Sequence, residues 1–230
     1  MNFILESLRT AISLILAFDK EVYQAVWTSL YVSVASTIIA SAIGIPSGLL
    51  LSAREFPFKR LAIVLLNTLM ALPTVVVGLV VYGIISRQGP LGELGLLFSP
   101  AAIVIGQSIL ALPIIANYTL SSIKGADSRI LPTAMTLGAS PTQGYLILLS
   151  EVRFGIMAAV IAGFGRVVAE VGVAMMLGGN IRGYTRTMTT AIALETSKGE
   201  FAFGMALGII LMTVALAVNL LLNDFQERRG

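Results

Sequence analysis

Residues Ala25–Leu51 read Ala-Val-Trp-Thr-Ser-Leu-Tyr-Val-Ser-Val-Ala-Ser-Thr-Ile-Ile-Ala-Ser-Ala-Ile-Gly-Ile-Pro-Ser-Gly-Leu-Leu-Leu, without one charged side chain. A bilayer's hydrocarbon core is about 30 Å thick, and a helix of roughly 20 apolar residues crosses it. Four further runs have the same character: Leu61–Ile85, Ala101–Ile123, Phe154–Leu177 and Phe201–Leu222. Backbone polar groups in lipid must be satisfied within the protein, so a spanning segment is a helix or a barrel strand. These runs are too long and too uniformly apolar to alternate as barrel strands do. The chain is therefore read as an all-α integral membrane protein with five spanning helices.

Composition supports this. The apolar fraction is 57%, charged residues make up 12%, and mean hydropathy is +0.92. A soluble domain is about a quarter charged, so water cannot be the solvent on every side. The net charge of +3 contains no basic run suited to nucleic acid, and cysteine and histidine are both absent. That removes thiol redox chemistry, disulfides, Cys/His metal sites and His-dependent acid–base catalysis. The remaining acids are scattered, which argues against an enzyme and favours movement of a solute.

Between the runs lie Ser52–Arg60, with Arg54, Lys59 and Arg60; the Gly- and Pro-containing Ser86–Pro100; the long semi-polar Lys124–Arg153; and the polar Gly178–Glu200. A short tail occupies 224–230. At the other end, Phe3, Ile4, Leu8, Ile12 and Leu16 recur at helical spacing and are interrupted by Glu6 and Arg9. Residues 1–20 are therefore expected to form an amphipathic helix along the interface, with the transport domain over 21–223. No cleavable signal sequence is expected there. Lys and Arg are enriched on the cytoplasmic side of membrane proteins. Eight lie on the side of Ser52–Arg60, Lys124–Arg153 and the tail, and six on the other. This places the N-terminus outside and the C-terminus in the cytoplasm.

Met70-Ala71-Leu72-Pro73 is echoed by Leu110-Ala111-Leu112-Pro113, each expected inside a spanning helix. Proline removes a backbone donor and kinks a helix, so Pro73 and Pro113 either serve packing or shape a solute path. Gly44–Gly48 and Gly204–Gly208 have the spacing that lets membrane helices approach closely.

Three stretches carry the candidate functional residues. In the long connection, Pro132 is placed to begin a short helix, and Gly138 with Ser140-Pro141 to end it. Ala134 and Leu137 are expected on one face of it, either tucked under the bundle or docked into a groove of another protein. In the fourth run, Arg166 and Glu170 are one helical turn apart and share a face. A charge at membrane depth costs about 2.5–3.5 kcal/mol on insertion scales, so the two are expected to pair. The pair serves either as a helix seam or as a wall of the path. Just beyond, Asn180, Arg182, Thr185, Arg186 and Thr187 could meet an anion, dock a partner, or form a solvated loop.

These stretches also carry a resemblance. With Gly138 aligned, the connection is similar to the cytoplasmic signature loop of ABC importer permeases, of form E-A-A-x3-G-x9-I-x-L-P. Thr133 and Ala134 fall at the alanines, Leu148 at the isoleucine, and Ser150-Glu151 replaces the final pair. The run from Arg166 to Met188 resembles the oxyanion permeases of the molybdate, sulfate and tungstate group, whose pattern is close to G-E-F-G-A…G-N-I-P-G-x-T-x-T. Ala169, Val171 and Arg182 depart from it. Thr189–Gly199 looks most like the tungstate branch, and the resemblance runs from about Trp27 to Leu222.

The resemblance implies a type I importer permease with five core helices, working as a homodimer by alternating access. It implies two cytoplasmic ATPase subunits below and an extracytoplasmic solute-binding protein above. Thr133, Ala134, Leu137, Gly138, Ala139 and Ser140 would couple to the ATPase. Arg166, Glu170, Pro73 and Pro113 would belong to the path or a helix pair. Asn180, Arg182, Thr185 and Arg186 would face the entry or the binding protein. A phosphate-cradling loop needs a lysine after glycine, and none of Lys20, Lys59, Lys124 and Lys198 has one. ATP and Mg are thus expected on the partner, with no cofactor or metal on this chain. The cargo is expected to be tungstate, with molybdate or sulfate next. The alternatives are a permease of this fold for another solute, such as an amino acid, and a gradient-driven secondary transporter.

Overall fold

The computed structural model describes residues 2–53 and 55–227, and side chains for 3–53 and 55–220. The predicted 224–230 tail and Arg54 fall wholly or partly outside these. Helix makes up 79% of the chain, with no strand among the described residues. The helices are α1 (Asn2–Leu16), α2 (Lys20–Ala53), α3 (Lys59–Met70), α4 (Thr74–Ile85), α5 (Pro100–Lys124), α6 (Ile130–Thr136), α7 (Pro141–Glu151), α8 (Arg153–Val168), α9 (Gly172–Gly178), α10 (Met188–Lys198) and α11 (Phe201–Glu227).

Three helices, α2, α5 and α11, are long and apolar enough to span unaided. Two bent pairs bring the total to as many as five: α3 with α4, turned by 100°, and α7 with α8, turned by 67°. The most buried is α5, with 67% of its apolar window covered against 28% for α2 and 17% for α11. It is the axis around which α2, α8, α9, α3 and α4 are arranged.

The glycines of α2 explain how closely it meets α5. A Cβ on Gly48 would stand 2.6 Å from the Ala116 carbonyl oxygen, and one on Gly44 3.2 Å from Ile115. At Gly48 only hydrogen fits, and at Gly44 a methyl would need its neighbours to shift, as the spacing predicts. A Cβ on Gly204 would stand 3.0 Å from Thr196 Oγ1, whereas one on Gly208 would meet nothing within 4 Å among the described residues.

Two expectations are corrected. The predicted second run is not one helix: Ala71–Pro73 is non-helical, and Pro73, in extended conformation, precedes α4. Proline disfavours helix in the residue before it, so the chain turns where Pro113, buried in α5, does not turn it. The two Ala-Leu-Pro copies therefore differ in structure. The predicted fourth run is also interrupted, since α8 ends at Val168 and α9 begins only at Gly172.

A helix does occupy the N-terminal segment, as α1. Ser7 and Ala11 are buried, α1 packs on α11, and Phe3 meets Phe201 with ring centroids 5.5 Å apart. Its stripe of Phe3, Ile4, Leu8, Ile12 and Leu16 faces outward. Asp19 starts α2 by accepting from the N–H groups of Glu21 and Val22 at 3.0 and 3.1 Å.

Candidate functional site

The interruption at Ala169–Val171 gathers buried polar groups from several helices. Arg166 sits in the last turn of α8, and Glu170 lies in the gap rather than in a helix. The two pair across the gap, Arg166 Nη1 donating to Glu170 Oε2 at 2.7 Å. The other carboxylate oxygen accepts from the Val173 N–H at 3.2 Å, which begins α9. Only 3% of Glu170 is exposed, so its charge depends on these donors. They share no continuous helical face, as the sequence had suggested; the fold of the gap brings them together.

Other helices supply the remaining hydrogen bonds. Gln107 of α5, 2% exposed, donates from Nε2 to the Val167 carbonyl at 3.1 Å. Its Oε1 accepts from Ser36 Oγ of α2 at 3.2 Å. Thr189 Oγ1, from the first turn of α10, donates to the Glu170 carbonyl at 2.7 Å. Irregular backbone at membrane depth needs such partners. Neither Gln107 nor Thr189 was evident as a site residue. The available signal was an uncharged amide inside the buried stripe of an apolar helix.

The gap is close to the bend after α3. A Cβ on Gly172 would lie 2.9 Å from Thr74 Oγ1, and one on Gly78 would lie 2.9 Å from Met176 Sδ. Thus α4 and α9, each a half-helix after a break, run against each other. Pro73 belongs to this region; Pro113 lies elsewhere, inside α5.

Beyond α9 the chain ties itself together. Asn180 takes the left-handed conformation (φ 51°) and donates from Nδ2 to the Thr190 carbonyl at 3.3 Å. Thr185 is fully buried; its Oγ1 donates to the Gly178 carbonyl at 2.5 Å and accepts from the Ile181 N–H at 3.0 Å. Arg186 and Lys198 both bind Glu195 Oε1 at 3.1 Å, and Arg182 pairs with Glu21. Those five groups and Glu200 line a cleft of about 260 Å³. Its three acids balance its three bases. Thr187 caps α10 with Thr190, each accepting from the other's backbone N–H.

At the opposite end, α6 and α7 form a compact hairpin. Ile123, Leu148 and Val152 pack together beneath the bundle, with Ile130 and Tyr145 against them. The α6 helix starts two residues before Pro132 and ends at Thr136. Ala134 is buried, but Leu137 lies past the last helical residue and is 83% exposed, so the two do not share one face. Gly138 turns the chain with φ 90°, where a side chain is disfavoured. The Ala139 N–H bonds back to the Ala134 carbonyl at 3.0 Å. Ser140 then caps α7, its N–H donating to Gln143 Oε1 at 2.8 Å. Thr133 is exposed on α6. Before α6, Arg129 grips Asp127 at 2.7 Å and holds that carboxyl below its ordinary pKa.

The bundle combines two broken helix pairs with the α6–α7 hairpin at one end. The solved structures it resembles are of ABC transporters. The fold matches a subunit of an inward-facing methionine ABC transporter with TM-score 0.75, at 17% identity, over 91% of this chain and 96% of that one. It matches a bacterial alginate ABC transporter, in complex with an alginate-bound periplasmic protein, with TM-score 0.76 over 99% and 88%. Among sequences, a tungstate uptake system permease of Campylobacter jejuni is 41% identical over 227 residues, 99% of this chain and 95% of that protein. A tungstate uptake system permease of Peptoclostridium acidaminophilum is 38% identical over 227 residues, 99% and 100%. A probable anion ABC transporter permease of Haloferax volcanii is 40% identical over 87% of this chain and 88% of that protein. No protein-family model matches. The chain belongs to the ABC importer permease family, in the group of the tungstate uptake permeases, and is a multi-pass membrane protein.

Proposed function

We propose that this chain is the membrane subunit of an ATP-driven importer for an oxyanion, with tungstate as cargo and molybdate or sulfate next. The observation that carries the cargo is the identity gradient. Relatives named for tungstate match at 38% and 41% over nearly the whole chain, whereas a molybdenum permease of Escherichia coli matches at 28%. Two copies would form the pathway and alternate their access, with the N-terminus outside and the C-terminus in the cytoplasm. The long connection would meet two ATPase subunits that bind ATP and Mg, and an extracytoplasmic binding protein would deliver the anion. The segment 1–20 would lie along the interface beside the 21–223 transport domain.

The geometry supports a division of roles. Leu137, projecting from a hairpin anchored by Leu148, is suited to a groove in the ATPase, with Thr133, Ala134, Gly138, Ala139 and Ser140 holding its shape. Arg166 and Glu170, with Pro73 nearby, fix the gap between α8 and α9 as a hinge of the path. A bare arginine there would retain a dianion too strongly for release; tied to Glu170, it does not. Pro113, buried in α5, would serve the packing of that axis or shape the path. Because Arg182 and Arg186 are already paired, their surface is better suited to docking the binding protein than to holding the anion, while Asn180 and the fully buried Thr185 hold its backbone from within.

The test is uptake of radiolabelled tungstate in cells lacking the gene and in cells with it restored, with excess molybdate and then sulfate as competitors. Collapse of uptake with weak competition supports the assignment. Unchanged uptake overturns the cargo and leaves a permease for another solute.

A further inference from the structure

The exposed arc of α3 is divided. Arg60, Val64, Asn67 and Ala71 follow one another at helical spacing on one flank, and Leu61, Leu65 and Leu69 on the other. The face between these flanks that touches α5 is Leu66 with the half-buried Ala62, Ile63 and Met70. Asn67 is exposed, and its Oδ1 accepts from Asn117 Nδ2 of α5 at 2.8 Å. Among the described residues, the amide N–H₂ of Asn67 finds no acceptor. Asn117 lies two helical turns inside the Lys124 end of α5, about 10 Å along the axis at 1.5 Å per residue. A carboxamide at that depth cannot face lipid without losing its hydrogen bonds, at a cost of a few kcal/mol.

A second observation concerns the backbone. Ala71 and Pro73 are exposed in the non-helical elbow between α3 and α4. Among the described residues, no backbone carbonyl receives the N–H of Thr74 or Val75. Irregular backbone at membrane depth occurs only where it is covered by protein or lines water. At the other break, Gln107 and Thr189 donate to the Val167 and Glu170 carbonyls; among the described residues no side chain donates to a carbonyl of the Ala71–Pro73 elbow.

We infer that the flank of α3 bearing Asn67, continued by the Ala71–Pro73 elbow, lines a water-filled inner vestibule, and that the Asn67 amide is a neutral donor to the oxyanion leaving through it. The inference rests on the oxyanion reading above. A dianion released to the cell needs contacts that orient it without holding it. An uncharged N–H₂ donates hydrogen bonds to tetrahedral oxygens yet lacks the long-range attraction of a cation. The leucine flank faces lipid.

The chain has no cysteine, so a single thiol can be read without background. Asn67→Cys and Leu65→Cys are each assembled with the ATPase and binding protein, and treated with a negatively charged, membrane-impermeant methanethiosulfonate in inside-out vesicles. Asn67→Asp is assayed alongside for tungstate uptake and membrane level. The expected result is rapid modification at position 67, none at position 65, and uptake by Asn67→Asp reduced about ten-fold or more at normal membrane level, since a fixed negative charge repels a dianion. Protection of position 67, or a disulfide between two copies there, overturns the vestibule. Modification together with wild-type uptake by Asn67→Asp overturns the contact with the anion. Thiol reactivity is independent of cargo, so failure of wild-type vesicles to carry tungstate sinks the cargo reading and leaves the lining to be decided by the reagent.

Discussion

Arg166 and Glu170 are held 2.7 Å apart across the end of a helix, not along one. The carboxylate that neutralises the arginine also starts α9 through the Val173 N–H. One side chain thus satisfies a buried charge and a helix terminus. Removing Arg166 alone leaves Glu170 charged and buried, a change that costs about 3–5 kcal/mol in comparable pairs. Arg166→Ala is expected to lower the membrane level and melting temperature sharply. Arg166→Met with Glu170→Gln removes both charges and keeps an acceptor for Val173. Its melting temperature should recover most of the loss while uptake stays low. Equal instability of the single and double variants in detergent melts would contradict this account of the pair.

Gln107 bears on the same gap from α5. Gln107→Leu keeps the volume but leaves the Val167 carbonyl with fewer donors, a loss of about 1–3 kcal/mol for a buried polar group. The variant should insert normally, and amides at 168–171 should exchange with deuterium faster than in the parent, while α2 and α11 are unchanged. Unaltered exchange at the gap would show that Gln107 does not hold it.

The contrast between the two Ala-Leu-Pro copies shows how far the sequence could be read. Apolar length is set by the solvent, so the unbroken spans α2, α5 and α11 were legible from composition to within a few residues. The close approach of α2 and α5 was legible in Gly44 and Gly48, because only the missing Cβ permits it. The breaks were not. Pro73 and Pro113 share the Ala-Leu-Pro sequence, and what separates them is tertiary: Pro113 is buried within α5, and Pro73 is exposed at an elbow. The Arg166–Glu170 pair was legible from spacing alone, although the helix expected to present it ends between them. The partners of the gap, Gln107 and Thr189, come from helices far away in sequence, and no local pattern announces them.

The hairpin at α6 and α7 gives a prediction free of folding cost. Leu137 is 83% exposed, so Leu137→Asp should leave stability within about 0.5 kcal/mol, as surface changes do. A charge at the tip of a docking knob should abolish uptake and the coupling of ATP hydrolysis to the loaded binding protein. Gly138→Asp should behave likewise at somewhat lower stability, since a non-glycine residue in the left-handed region costs about 1–2 kcal/mol. Transport at wild-type rate by either variant, at matched membrane levels, would exclude docking through this tip.

Glycine packing supplies a paired test with opposite signs. Alanine gains roughly 0.5–1 kcal/mol over glycine inside a helix. At Gly208, where nothing lies within 4 Å of a new Cβ, Gly208→Ala should raise the melting temperature of the monomer fold slightly. At Gly48 the same methyl would stand 2.6 Å from the Ala116 carbonyl oxygen and 2.8 Å from Thr119 Cβ. Backbone cannot step aside as a flexible side chain can, so overpacking of about 1–3 kcal/mol outweighs the propensity gain. Gly48→Ala should therefore melt several degrees below the parent. A Gly48→Ala variant that melts with or above the parent would refute the claim that α2 and α5 are spaced by hydrogen at this position. An unstable Gly208→Ala beside the predicted unstable Gly48→Ala would instead mean that the open face of α11 is covered by another subunit in the assembled transporter.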